Sequence, residues 1–351
     1  MKNLLQFSPK GIYCPAGDFF IDPWQPVPRA VITHAHSDHA YAGHASYLAH
    51  YQSAEVLKLR LGNQINLQTA EYQKPVYING VEVTLYPAGH VPGSAQIRVS
   101  YKGEIWVVSG DYKTEPDGLS TPFEPVPCHT FISESTFGMP VFEWAPQHLL
   151  MEQILNWWAQ NAAGGKASVL FAYSLGKAQR LLSGLVPQIG PVLLHGAVAN
   201  TTEALERNGY RFPKWERVET RNATAGYGQT LIIAPPSAQG TPWMKRFSPF
   251  ESAVCSGWMA IRGFKRRSNS GHGFVVSDHA DWKGLLMAIK ATNAEQVLVT
   301  HGYTAPFSRY LNEIGIQSAE VKTLYGLGNG PEENNIAKET GRIESSETDD
   351  N

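Results

Sequence analysis

The sequence predicts an α/β fold organised as two domains, and three observations carry that expectation. Five short apolar runs rich in β-branched residues each deliver a side chain able to bind a metal ion, as strands do where a sheet hands over to functional loops. Between about residues 147 and 270 the texture changes to strand-like and helix-like segments in alternation. The chain has 351 residues, more than one hydrophobic core usually organises, with 42% apolar and 17% charged residues, an ordinary globular composition.

In chain order, RAVIT (29–33) is a buried-type strand that stops on His34. VEVTLYPAGH (81–90) alternates and then reaches His90, GEIWVVSGD (103–111) ends on Asp111, and TFISEST (130–136) delivers Glu134. QHLLMEQILNWWAQNA reads as an amphipathic helix. ASVLFAY with LGKAQRLLSGL, and PVLLHGA with TTEALERNG, read as strand–helix pairs, and QTLIIAPP as a further strand. QVLVTHG (296–302) delivers His301. The pattern places one domain in residues 1–146 and 271–328, interrupted by an inserted α/β domain at 147–270. Residues 329–351 carry almost no apolar side chains and read as a disordered acidic tail.

The net charge of −2 argues against a nucleic-acid partner until its distribution is read. From Pro331 onward there are seven acids and two bases, leaving 27 bases against 24 acids, or +3, in the body. A mildly basic body behind an acidic tail favours a polyanionic substrate. No apolar run approaches the roughly 18–20 residues of a membrane helix, and MKNLLQFSPKG lacks a signal-peptide core, so no membrane partner and a cytoplasmic location are expected. Cys14, Cys128 and Cys255 are far apart and odd in number; they read as small buried residues.

The chemistry centres on THAHSDHAYAGH (33–44), where His34, His36, Asp38 and His39 fall within six positions. His34 and His36 are two apart, so on an extended segment they point the same way. Asp38 and His39 follow as the chain turns and can face a second ion. Imidazoles with a carboxylate suit Zn²⁺, Mn²⁺ or Fe²⁺. A His-rich surface loop is the bland alternative, but this spacing arises rarely by chance. Asp111 is the natural bridge, because a carboxylate can hold two ions; His90 completes one site and His301 the other. Asp22, in FIDPW, is placed to orient a ligating histidine from behind.

The HxHxDH motif followed by His90, Asp111 and a late histidine resembles the metallo-β-lactamase superfamily, an αββα sandwich. SESTFG (133–138), VVSDHADW (275–282) and LVTHGY (298–303) are similar to the three signatures of its β-CASP nuclease branch, with the insertion at 147–270 in the place of that branch's cap domain. The resemblance covers nearly the whole chain except the tail. It implies two divalent ions, Zn²⁺ first and Mn²⁺ as the alternative: His34, His36 and His90 on one, Asp38, His39 and His301 on the other, with Asp111 between. Asp38, Glu134 and His279 are then the catalytic candidates, His279 as general acid with Glu134 on its other ring nitrogen. THAHSDHAYAG, YSLGKAQR (173–180) and CSGWMAIRG (255–263) are similar to segments of the Artemis and crosslink-repair nucleases. Those eukaryotic members carry Val at the third signature, whereas His301 is as in RNA-processing members. Size and motif set are most similar to the bacterial ligase-associated DNA exonucleases. A DNA exonuclease in repair, working beside a ligase, is the favoured implication; an RNA-processing nuclease or a small-molecule ester hydrolase is the alternative.

Ser174, Lys177 and Arg180 lie at the start of an expected helix, where cations and backbone N–H groups favour phosphate. Arg262, Lys265, Arg266 and Arg267 form the densest basic stretch, with Trp258 and Phe264 as stacking candidates. A solvated helix face and an exposed linker are the bland alternatives. His44, His50, His129, His148, His195 and His272 lack such context and read as structural or surface residues.

Overall fold

A computed structural model of the chain describes residues 3–186, 188–220, 226–261 and 271–321. Its architecture is mixed α/β, with three sheets among the described residues. The first sheet orders β1 (Gln6–Ser8), β2 (Gly11–Cys14), β3 (Phe19–Ile21), β4 (Ala30–Val31), β5 (Tyr47–His50) and β6 (Leu67–Ala70) as they follow in the chain. The second contains β7 (Pro75–Ile78), β8 (Val81–Pro87), β9 (Ala95–Tyr101), β10 (Glu104–Val108), β11 (Thr130–Ser135), β18 (Gln296–Gly302) and β19 (Ser318–Glu320). Its order is β19-β18-β11-β10-β9-β8-β7.

The period-2 pattern of these strands sorts side chains between two cores. In β10, Trp106 and Val108 face a core shared with Ile12, Ile21 and Val31 of the first sheet, so the two sheets pack face to face. Val107, between them, faces the opposite side, against Leu285, Ile289 and Leu311. Those residues belong to α5 (Trp282–Ala291) and α6 (Thr304–Glu313). Behind the first sheet, Ile32 and Ala49 pack on Val56 and Leu57 of α1 (Ala54–Leu61). The layers run helix, sheet, sheet, helix.

The third sheet takes its strands from residues 167–274: β12 (Ala167–Phe171), β13 (Val192–Leu194), β14 (Glu216–Arg217), β15 (Leu231–Ala234), β16 (Phe250–Cys255) and β17 (His272–Phe274). Every pairing in it is parallel, in the order β14-β13-β15-β12-β16-β17. Parallel strands buried on both faces read as continuous apolar runs, which is why LIIA and ASVLF stood out in the sequence. The helices α2 (Gln147–Ala163), α3 (Lys177–Gly184) and α4 (Gly196–Arg207) accompany it. Strands β14, β16 and β17 were not expected. β16 is half-buried along FESAV and looks like loop in sequence. Because β17 pairs with β16, this sheet reaches Phe274, past the boundary drawn at 270. RAVIT is strand over two residues only.

Strands β10, β11 and β18 are adjacent and parallel, with Val108 opposite Ile132 and Glu134 opposite Thr300. Their carboxyl ends therefore reach one rim together, carrying the chain to Asp111, Glu134 and His301. No helix among the described residues is long and apolar enough to cross a membrane. The expected tail, 329–351, lies outside the described residues.

Candidate metal centre

Four residues expected as ligands converge. The ligand atoms of His34, His36, His90 and Asp111 all lie within 4.8 Å of one another. Asp111 Oδ2 is 3.5 Å from His34 Nε2, 3.4 Å from His39 Nε2 and 3.8 Å from His90 Nε2. One carboxylate oxygen thus stands within 3.8 Å of three imidazoles, those of His34, His39 and His90. It arrives there through Gly110, whose φ is +57°; a Cβ at that position would sit 2.7 Å from the Thr33 Cβ.

Hydrogen bonds fix which ring nitrogen faces inward. Asp22, buried and held at φ +43°, accepts from the Thr33 backbone N–H (2.8 Å), the Thr33 hydroxyl (2.5 Å) and His39 Nδ1 (2.7 Å). The Thr33 hydroxyl, its proton spent on Asp22, is 3.1 Å from His34 Nδ1 and accepts there. His36 Nε2 donates to the Leu175 carbonyl (3.2 Å), and His90 Nδ1 to the Asp278 carbonyl (2.8 Å). The inward atoms are therefore Nε2 of His34, His39 and His90, and Nδ1 of His36.

This arrangement fits a cation. His36 Nδ1 and His90 Nε2 are 3.0 Å apart. With their other ring nitrogens donating to carbonyls, both atoms carry lone pairs in the neutral rings, and at that distance they need either a proton on one of them or a shared cation. His34 Nε2 and Asp111 Oδ1 are buried with no hydrogen-bond partner among the described residues. Burial, then the neighbouring His39, holds His34 well below the ordinary imidazole pKa, and burial with His279 does the same to His90. Burial also lowers His36. Burial pulls His39 down, but the carboxylates of Asp111, Asp38 and Asp22 outweigh it and hold His39 well above its usual value. Burial opposes ionisation of Asp111, yet His39 and His279 keep it well below the carboxylate range. The donor set, imidazoles plus one carboxylate, suits Zn²⁺ or Mn²⁺.

Residues expected at a second ion lie nearby in a looser arrangement. Asp38 Oδ2 is 4.0 Å from His39 Nε2, and the His301 ring is 6.4 Å from that of His39. Asp22, His39, Asp111, Glu134 and His301 line one small cavity. His301 has a φ of +55°, a left-handed conformation unusual for a residue with a Cβ.

Glu134 and His279 form the expected pair: His279 Nδ1 lies 2.9 Å from Glu134 Oε2. The carboxylate also accepts from the Tyr112 N–H (2.7 Å) and the Thr136 hydroxyl. Trp144 Nε1 donates to the His279 carbonyl (2.9 Å). With Nδ1 turned to Glu134, Nε2 is the nitrogen through which His279 can exchange a proton. Asp111, Glu134 and His279 also offer ligand atoms within 4.8 Å of one another, so the pair adjoins the candidate metal centre.

The expected substrate contacts fare unevenly. Lys177 opens α3 but is 2% exposed, its Nζ 4.6 Å over the Tyr173 ring, so it is buried where an open phosphate contact was expected; Ser174 is half-buried just before it. Arg180 is 4% exposed and donates to Gln147 and to the Ser277 carbonyl, so it is buried structure where an open phosphate contact was expected. Trp258 is likewise 4% exposed and packs on Phe137 and Phe142; a buried ring cannot serve as a stacking platform, which corrects that expectation. Arg262, Phe264, Lys265, Arg266 and Arg267 lie outside the described residues. The sequence did not flag Thr33, or Arg60, which donates to the Ala35 (2.6 Å) and His36 (3.2 Å) carbonyls and so braces the ligand loop. Nor could it flag the carbonyls of Leu175 and Asp278, since every residue has one.

No family model matches the chain. Over 311 residues, 88% of its length, it is 30% identical to a protein named probable DNA ligase from Opitutus terrae, of which it covers 30%. Over 118 residues, 33% of its length, it is 29% identical to endoribonuclease YSH1 of Saccharomyces cerevisiae, covering 15% of that protein. It is 30% identical over 120 residues to cleavage and polyadenylation specificity factor subunit 3 of Dictyostelium discoideum, again covering 15%. Among solved structures, a protein of unknown function from Enterococcus faecalis V583 aligns with TM-score 0.58 at 10% identity, over 84% of this chain and 79% of that one, a likeness of fold alone. The chain thus spans less than a third of the length of these curated relatives, and its similarity runs to one protein named for joining DNA and to others named for cutting RNA.

Proposed function

We propose that the chain is a two-metal phosphodiesterase of the metallo-β-lactamase fold, β-CASP branch, that cleaves nucleic-acid backbones, and that its substrate is DNA degraded from an end. The observation that carries this reading is the convergence of His34, His36, His90 and Asp111 within 4.8 Å, beside the Glu134–His279 pair. In the proposed division, residues 147–270, whose sheet runs on to Phe274, form the cap over a catalytic body made of 1–146 and the remainder up to 328. Asp38, His39 and His301 complete a second ion site across Asp111.

Two divalent cations, when bound there, supply Lewis-acid activation of water and electrostatic stabilisation of charge on the phosphoryl group. The chain's own groups do the rest. Asp22 and Thr33 hold His39 and His34 in the ligating tautomer. His279 donates a proton from Nε2 to the leaving oxygen while Glu134 keeps the ring oriented through Nδ1. Ser174, half-buried just before α3, is the group offered to a substrate phosphate.

DNA is favoured by the breadth of the similarity to the protein named probable DNA ligase, which also supports action beside a ligase. RNA is the second reading, favoured by the YSH1 and cleavage-factor relatives. The deciding experiment incubates the purified protein with 5′- and 3′-labelled single-stranded DNA and RNA in Zn²⁺ or Mn²⁺. Metal-dependent release of mononucleotides from DNA supports the proposal. Cleavage of RNA alone selects the second reading, and turnover of neither polymer sinks both.

A further inference from the structure

The turn Ser277–His279 serves the centre twice: the Asp278 carbonyl accepts from His90 Nδ1 (2.8 Å), and His279 pairs with Glu134. One side chain from the inserted segment holds this turn. Arg180 donates through Nη1 to the Ser277 carbonyl (2.5 Å), and the same nitrogen lies 3.4 Å from Asp278 Oδ1. Its Nε donates to Gln147 Oε1 (2.7 Å) at the start of α2, and Gln147 Nε2 donates on to the Asp117 carbonyl (2.6 Å). The Ser277 hydroxyl accepts from the His279 N–H (3.1 Å), so the turn is braced from within as well. Lys113, 2% exposed and paired with Glu115 at 3.4 Å, is a second buried cation of this region.

The inserted segment also touches the centre directly. Gly176, at φ +86°, has room for no side chain, because a Cβ there would stand 2.3 Å from Val91 Cγ1. That approach brings the Leu175 carbonyl onto His36 Nε2. Two ligating histidines, His36 and His90, thus take their orientation from carbonyls whose place depends on how α3 docks.

We propose that Arg180 is a positioning residue for the metal centre: it locks the Ser277–His279 turn to α2 and α3, and through the Asp278 carbonyl it aims His90. The inference rests on the metal-centre part of the proposed function and not on its substrate. Groups behind the ligands commonly govern affinity by 10- to 100-fold, so removing Arg180 should weaken metal binding about tenfold.

The test is a Co²⁺ titration of the full chain, read by the visible absorption of bound cobalt, in wild type, R180K, R180Q and the double variant R180Q/D278N. R180Q is expected to bind Co²⁺ about tenfold more weakly with an altered band shape, and R180K to recover part of the loss, since an ammonium can reach one acceptor but cannot fork. The double variant leaves no uncompensated buried charge and is expected to show the same loss while staying folded by circular dichroism. If R180Q lacks a cooperative thermal transition, the double variant decides. Wild-type Co²⁺ affinity and spectrum in whichever folded variant decides would overturn the inference, whatever happens to nucleic-acid binding. A wild-type chain that takes up no Co²⁺ overturns the metal-centre reading itself, and this inference with it.

Discussion

His279 receives its orientation from Glu134, and Glu134 from Tyr112 and Thr136, so the ring is set before any substrate arrives. A general acid must carry its proton, so a rate that depends on it falls as pH rises above its pKa. Replacing His279 with Ala is expected to lower kcat by about 10²- to 10⁴-fold and to abolish that alkaline fall. A pH–rate profile unchanged in both height and shape would remove His279 from the chemistry. His50 makes a different prediction. It is buried, stacks on Tyr72 at 3.5 Å, and burial pushes its pKa down to about 4. The unfolded chain takes up this proton near pH 6.5, before the folded one does. The contribution is therefore complete above pH 6.5 and drains away as pH falls toward 4. At about 1.4 kcal/mol per pKa unit, discounted for partial screening, roughly 2 kcal/mol is at stake. His50→Phe keeps the stack and removes the titration, so its melting temperature should fall less than wild type's between pH 7 and 4.5. Equal acid sensitivity would refute the assignment. The candidate metal ligands were legible at this scale because HxHxDH concentrates rare chemistry in six positions, and the Asp22–His39 contact because a histidine needs a partner behind it. The Leu175 and Asp278 carbonyls were not, since a backbone group leaves no mark in the sequence.

Parallel strands explain why candidate ligands far apart in the chain arrive together. β10, β11 and β18 end on one rim, and each was readable as an apolar run that stops on a ligand-type residue. β16 was not readable, because FESAVC is only half-buried over its first three residues and so keeps polar side chains in a strand held by parallel partners on both sides. β17 was hidden because three residues carry no period. Within the ligand-bearing strands the critical joint is Gly110, where a left-handed φ and the Thr33 side chain both exclude a Cβ. Gly110→Ala should cost about 1–2 kcal/mol for the left-handed backbone and a further 1–3 for the clash. Because Thr33 also holds Asp22, the variant should bind metal more weakly as well. Urea unfolding with and without Zn²⁺ measures both effects; a loss below about 0.5 kcal/mol, the ordinary surface-substitution range, would show that the joint is not as tight as its geometry.

At the scale of the molecule, the candidate centre joins what the cores keep apart. His34, His36 and His39 follow the last residues of the first sheet's β4, whereas Asp111 and His301 leave the second sheet. Cations at this point would cross-link the two layers, with the inserted segment leaning on them through Leu175. Without cations the folded chain must either hold lone pairs of His36 and His90 3.0 Å apart or charge one buried ring, and His34 Nε2 and Asp111 Oδ1 are buried without partners among the described residues. Each such group carries a desolvation cost that an unfolded chain escapes. A metal that binds the folded chain and not the unfolded one adds RT ln(1 + [M]/Kd), about 2.7 kcal/mol at a hundred times Kd. For a chain of 351 residues each kcal/mol moves the melting temperature by about 1–2 °C, so stripping the metal should lower it by roughly 3–5 °C. Returning Zn²⁺ should restore it, and Asp111→Asn, which removes the shared charge, should melt near the stripped wild type and respond little to added metal. A melting temperature indifferent to chelator, with no metal retained through purification, would mean that these residues hold the layers together by hydrogen bonds and protonated His39 alone.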